Sequence, residues 1–146
     1  MNTKQVLVIR RDLNMRRGKE IAQGSHASMA FLTSPLASRS GWFYRLIAVI
    51  VFLWRCFCLY FDKAAWAWLT SSYAKVTCQV SNEQELLTLH AAAQTLGIRS
   101  HLITDSGRTE FNGVPTVTAL AIGPDESDKI DWVTGEKGPL GKLKLY

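Results

Sequence analysis

The chain has little sulfur chemistry to offer. Its 146 residues include three cysteines; Cys56 and Cys58 stand two apart and Cys78 is alone. No C-x-x-C occurs and no histidine sits at zinc-finger spacing, so neither a disulfide framework nor a structural zinc site is encoded. Other signatures are missing too. There is no G-x-x-x-x-G-K-[ST] loop, no H-E-x-x-H pair and no G-x-S-x-G elbow. His26, His90 and His101 are scattered along the chain, which reads as three structural histidines rather than a metal site. There are no internal repeats and no low-complexity tracts. The first residues read as leading directly into a strand rather than as a secretory signal. The expectation is a cytoplasmic protein of one domain, spanning 1–146, with no metal and no cofactor.

Acidic residues are scarce at one end. Lys and Arg number 17 against 12 Asp and Glu, for a net charge of +5. Residues 1–45 hold eight Lys/Arg and two acids, whereas residues 75–146 hold seven and nine. A basic N-terminal third suits a polyanionic partner or, more blandly, a solvated basic surface.

Long apolar runs are absent except in one place. Residues 42–61 are strongly apolar but interrupted by Arg55. Each uninterrupted half is shorter than the roughly 18–20 residues that a membrane span needs. A central arginine costs about 2.5–3.5 kcal/mol on insertion. A core helix, an oligomer or protein interface, and membrane contact all stay open for this helical insert.

Elsewhere, strands and helices alternate, which defines an α/β chain with a mixed sheet. Val6-Leu7-Val8-Ile9 reads as a strand buried on both faces. A helix is predicted over 19–33, with Ile21, Met29 and Leu32 as its apolar stripe and Ser34-Pro35 as its stop. A short helix over 62–72 should turn Trp66 and Leu69 inward. Val76, Cys78 and Val80 alternate as a half-buried strand. Ser81-Asn82-Glu83-Gln84 caps a helix carrying Leu86, Leu89, Ala93 and Leu96, which ends at Gly97. Strands over 98–104 and 116–122, a helix over 126–134 with Ile130 and Val133 inward, and an edge strand over 143–146 complete the reading.

Chemistry concentrates in three places. Lys19, Gln23 and His26 fall at i, i+4 and i+7 and share a helix face. Ser25 and His26 are adjacent, so on a helix they point about 100° apart and do not make a nucleophile–base pair. Asp105-Ser106-Gly107-Arg108-Thr109 follows a strand, where α/β sheets gather their functional residues. The same D-x-G also suits a plain Asx turn. Arg10, Arg11, Arg16, Arg17 and Lys19 crowd the first strand-to-helix junction, which serves either as a phosphate site or as solvated charge.

Taken in order, these segments resemble the type 2 (archaeal and eukaryotic class) peptidyl-tRNA hydrolase family. The resemblance rests on Lys4 to Leu13, Met15 to Lys19, Ala22-Gln23-Gly24-Ser25-His26-Ala27, and Leu102-Ile103-Thr104-Asp105. It continues through Gly107-Arg108-Thr109, Ala121-Ile122-Gly123-Pro124, Val133-Thr134-Gly135 and Leu143-Lys144-Leu145-Tyr146. Gly24 stands where many relatives carry Cys and Ser106 where they usually carry Ala, and residues 42–61 and 136–141 are additions. The resemblance implies a mixed four-stranded sheet covered by helices, and hydrolysis of the ester joining a peptide to tRNA. It implies a catalytic cluster of Lys19, Gln23, His26, Asp105 and Thr109, with Arg10, Arg16, Arg17, Ser25, Gly107 and Arg108 contacting substrate. The rival expectation is a tRNA- or partner-binding module of the same fold without turnover.

Overall fold

A computed structural model describes residues 2–37, 62–71 and 73–146. The 42–61 insert, with Cys56 and Cys58, lies outside the described residues. Five strands form one sheet in the order β3-β4-β1-β2-β5. They are β1 (Thr3–Arg10), β2 (Lys75–Val80), β3 (Ser100–Asp105), β4 (Thr116–Glu126) and β5 (Lys144–Leu145). β1 runs parallel to β2 and antiparallel to β4, and β3–β4 and β2–β5 are antiparallel. The sheet is therefore mixed, as expected. The two-residue β5 is a fifth strand on the expected four, paired through Cys78 and Gln79.

β1 is central, which is why its apolar run is continuous: Val6, Leu7, Val8 and Ile9 are all buried. Alternation sends them to opposite faces. Val6 and Val8 join Leu120, Ile122 and Cys78 under two helices, α3 (Glu83–Thr95) and α4 (Ser127–Thr134). Leu86 and Leu89 from α3, and Ile130 and Val133 from α4, complete that core. Burying each such side chain contributes roughly 1.5–3 kcal/mol. Leu7 and Ile9 join Ala119, Ala121, Met15 and Ala27 on the other face, beneath α1 (Arg17–Ala37). The short α2 (Lys63–Leu69) packs beside α1 through an edge-to-face contact of Phe31 with Trp68, with ring centroids 5.7 Å apart.

Several details of the sequence reading need correction. α1 begins at Arg17 and runs through Pro35 to Ala37; a proline this close to a helix end forfeits one backbone bond rather than the helix. Its inward face is not the Ile21/Met29 stripe, which is exposed, but Gln23, Ala27, Ala30 and Phe31. Alanines let the helix approach the sheet closely, and Gln23 is drawn in by hydrogen bonds. In α2 it is Trp68, not Trp66, that is buried. Its indole Nε1 donates to the Ala74 carbonyl at 2.8 Å, fixing the inward side. In α3, Leu96 is the C-cap and exposed rather than a core position. The cap forms one residue later than the Ser81-Asn82-Glu83-Gln84 box implied, with Asn82 as the N-cap and Glu85 as its partner. Asn82 Oδ1 accepts from Glu85 N at 2.9 Å while the Ser81 N–H donates to the Glu85 carboxylate at 2.7 Å.

Candidate active site

Lys19 lies in the first turn of α1 and Asp105 is the last residue of β3. The buried Met15 anchors the loop between β1 and α1, and the Arg16 carbonyl accepts from Lys19 N at 2.8 Å to start the helix. This brings Lys19 Nζ to 2.5 Å from Asp105 Oδ2 and 3.2 Å from Thr109 Oγ1. One turn on, Gln23 Nε2 donates to the same Asp105 oxygen at 2.9 Å. Asp105 Oδ1 is separately engaged, accepting the Gly107 N–H at 2.8 Å. The D-x-G turn and the cluster are thus both formed, one on each oxygen of a single carboxylate.

Behind this cluster lies a buried support that the sequence reading missed. Gln23 and Thr118 are almost wholly buried. Thr118 Oγ1 donates to Gln23 Oε1 at 2.8 Å and lies 3.2 Å from the Ile103 carbonyl. In the β3–β4 ladder Ile103 pairs with Ala119 and Thr104 with Val117, so Thr118 is the extra residue of a bulge. A bulge re-aims a side chain out of strand alternation. Here it turns a hydroxyl toward α1 and fixes which end of the Gln23 amide faces Asp105. The only trace of this in the sequence is a threonine between the apolar Val117 and Ala119.

The electrostatics follow from these contacts. The Lys19 hydrogen bond holds the Asp105 carboxyl below its usual range, helped by the Gly107 N–H and Gln23 and opposed by burial. Asp105 is accordingly an anion of low basicity. The remaining capacity can be counted. A lysine ammonium has three N–H donors and two are used. The Asp105 oxygens offer about four acceptor positions and three are used. Thr109 Oγ1 accepts a hydrogen bond from Lys19 and keeps its own O–H to donate. One N–H, one carboxylate lone pair and one O–H therefore remain for a ligand. Phe111 closes one side, with its ring centroid 5.8 Å from Lys19 Nζ.

Other candidates are placed differently. His26 is exposed and makes no hydrogen bond among the described residues. Ser25 Oγ donates to the Ile21 carbonyl at 2.9 Å rather than to His26. Arg10 is buried and holds Asp12, Glu83 and the Val117 carbonyl. Arg16 bonds Glu110 at 2.8 Å. Arg17 and Arg108 are exposed and without an ion pair among the described residues. His90 bonds Ser100 and Gln94. Among the described residues no three His, Cys, Asp or Glu come together to hold a metal. Among them too, no helix is long and apolar enough to cross a membrane.

Fold and cluster together define a class: an α/β protein with an ammonium–carboxylate–hydroxyl site, suited to a polar carbonyl or phosphate ligand. Residues 3–146 match the family model described as peptidyl-tRNA hydrolase PTH2, and the chain belongs to that family. It is 35% identical over 133 residues to a peptidyl-tRNA hydrolase of Methanocaldococcus jannaschii, covering 90% of this chain and 95% of that one. To the Methanopyrus kandleri peptidyl-tRNA hydrolase it is 37% identical, covering 91% and 94%. To a probable peptidyl-tRNA hydrolase 2 of Dictyostelium discoideum it is 34% identical, covering 98% of this chain and 54% of that protein.

Proposed function

We propose that this protein hydrolyses the ester bond of peptidyl-tRNA, releasing free tRNA and a peptide, with Lys19, Asp105, Thr109 and Gln23 as its working groups. One observation carries the assignment of roles: Lys19 and Asp105, 86 positions apart in sequence, meet at 2.5 Å with free hydrogen-bonding capacity on both. In the reaction, water adds to the ester carbonyl, the C–O bond to the ribose breaks, and a proton passes to the departing ribose oxygen. The spare Lys19 N–H stabilises the oxyanion that forms on the carbonyl. Asp105, whose low basicity suits orientation better than proton removal, accepts a hydrogen bond from the attacking water. Thr109 donates a hydrogen bond to an ester or ribose oxygen, and the proton that reaches the departing ribose oxygen is the one lost by the attacking water. Gln23 holds Asp105 in place and Thr118 holds Gln23. Arg17 and Arg108 attract the tRNA backbone. His26 lies further along the same helix, where it is available to the peptide or ribose.

We further place the enzyme in the cytoplasm, where peptidyl-tRNA arises, and take residues 1–146 as one functional domain carrying the 42–61 insert. The test is turnover of N-blocked aminoacyl-tRNA. The wild type should release tRNA, and Asp105→Asn should lose about 10²–10³ of kcat. Binding without release by the wild type would convert the reading to that of a non-catalytic tRNA-binding module.

A further inference from the structure

The first turn of α1 has a second side. Glu20 follows Lys19 and faces away from Asp105, toward the β2–β5 edge. There Arg11 Nη1 reaches Glu20 Oε1 at 3.3 Å and the Tyr146 hydroxyl at 2.9 Å. The same guanidinium lies over the Tyr146 ring, 4.9 Å from its centroid. Both ends are tethered through the backbone: Arg11 N donates to the Val80 carbonyl and Tyr146 N to that of Thr77, each at 2.9 Å. The pair is therefore fixed, yet the Arg11 and Tyr146 side chains remain open to solvent, at 54% for Arg11 and with the Tyr146 residue 41% exposed.

An exposed arginine that serves only as a charge does not need an aromatic ring beneath it and a carboxylate beside it. Glu20 cancels much of its field, so a phosphate gains little from this guanidinium. What the arrangement offers is a backbone-tethered, solvent-exposed surface built of a guanidinium and an aromatic ring. Guanidinium and aromatic planes of this kind stack unpaired bases without regard to sequence. Resting on the peptidyl-tRNA reading, we propose that the Arg11–Tyr146 pair is a stacking platform for an unpaired base at the 3′ end of the substrate tRNA. The tRNA end that carries the ester is single-stranded, and its terminal ribose must lie at Lys19 and Asp105. Glu20, the residue after Lys19, joins this pair to the helix turn that carries the lysine.

The test compares intact deacylated tRNA with tRNA trimmed of its unpaired 3′ nucleotides, as competitors of N-blocked aminoacyl-tRNA hydrolysis. Wild-type protein should favour the intact competitor by about tenfold, the scale of one stacked base. Tyr146→Leu and Arg11→Lys should each erase that preference, with the loss falling in KM rather than kcat. The dependence of KM on salt should keep its slope in Tyr146→Leu, because no phosphate contact is removed. Equal inhibition of the wild type by the two competitors overturns the platform, whatever the variants do. So does an effect of Tyr146→Leu on kcat alone, which would make the network a brace for α1. A wild type that cleaves no peptidyl ester overturns the functional reading instead, and the platform with it.

Discussion

Asp105 keeps its carboxylate because its partners favour the charged form, and that fixes the sign of its pH behaviour. Its folded pKa is lowered, chiefly by Lys19. The stability it contributes is therefore complete above the ordinary aspartate value of about 3.9 and is lost as pH falls through the lower folded value. Urea midpoints should show wild type and Asp105→Asn separated by a constant margin at neutral pH, converging in acid. Lys19→Ala removes the main cause of the shift, so in that background the margin should be smaller and its loss should be complete at a higher pH. A margin that does not change with pH would remove the ionic account. Thr118→Val tests the support behind the pair. It keeps the shape but leaves the buried Gln23 Oε1 without its donor, which costs about 1–3 kcal/mol. Its kcat should fall as well, since the Gln23 amide loses the bond that fixes its orientation. A variant equal to wild type in both would show that the bulge serves packing alone.

At the scale of elements, two glycines with left-handed backbone make a controlled comparison. Gly97 (φ 64°) ends α3, donating to the Gln94 carbonyl while Ile98 N donates to that of Ala93, and a Cβ there would meet open space. Gly107 (φ 78°) lies in the loop that carries Thr109, and its Cβ would fall within 2.6 Å of Val114 N. Gly97→Ala should cost about 1 kcal/mol, the backbone strain alone. Gly107→Ala should cost more and lower kcat, because the turn that bonds Asp105 Oδ1 must shift. Thermal unfolding and turnover of the two variants check this; equal losses would mean the loop absorbs the clash. The same elements show what could be read in the sequence. β1 and the Gly97 stop are local signals and stand where the pattern puts them, and the cap of α3 falls one residue past its predicted place, on Asn82. The inward face of α1 was not readable, because Gln23 is buried by partners on β3 and β4, more than eighty residues away. A hydrophobic pattern has no means of scoring such partners. The Thr118 bulge is a register event between two strands, and one strand's residues do not encode it. Lys19, Gln23, Asp105 and Thr109 could be singled out by type and resemblance, but their meeting at one point is a property of the fold.

Across the whole molecule, the basic N-terminal third is less available than its composition implies. Of its eight cations, Arg39 and Arg45 lie outside the described residues; among the other six, Lys4 pairs with Asp131, Arg11 with Glu20, Arg16 with Glu110 and Lys19 with Asp105, and Arg10 is buried between Asp12 and Glu83. Charge that is already neutralised within the protein releases few counterions from a nucleic acid. Arg17, from this third, and Arg108, from the loop beside Asp105, stand exposed without such partners among the described residues. The salt dependence of kcat/KM on tRNA substrates should follow these free cations, at a slope of about −0.9 per duplex phosphate neutralised. Arg17→Ala and Arg108→Ala should each make the slope shallower by about one. Arg10→Gln should leave the slope as it is and lower the unfolding temperature instead, because it strands two carboxylates and the Val117 carbonyl. If Arg10→Gln flattens the salt dependence while Arg17→Ala and Arg108→Ala do not, the phosphate contacts lie on the sheet end beneath the loop rather than around the catalytic pair.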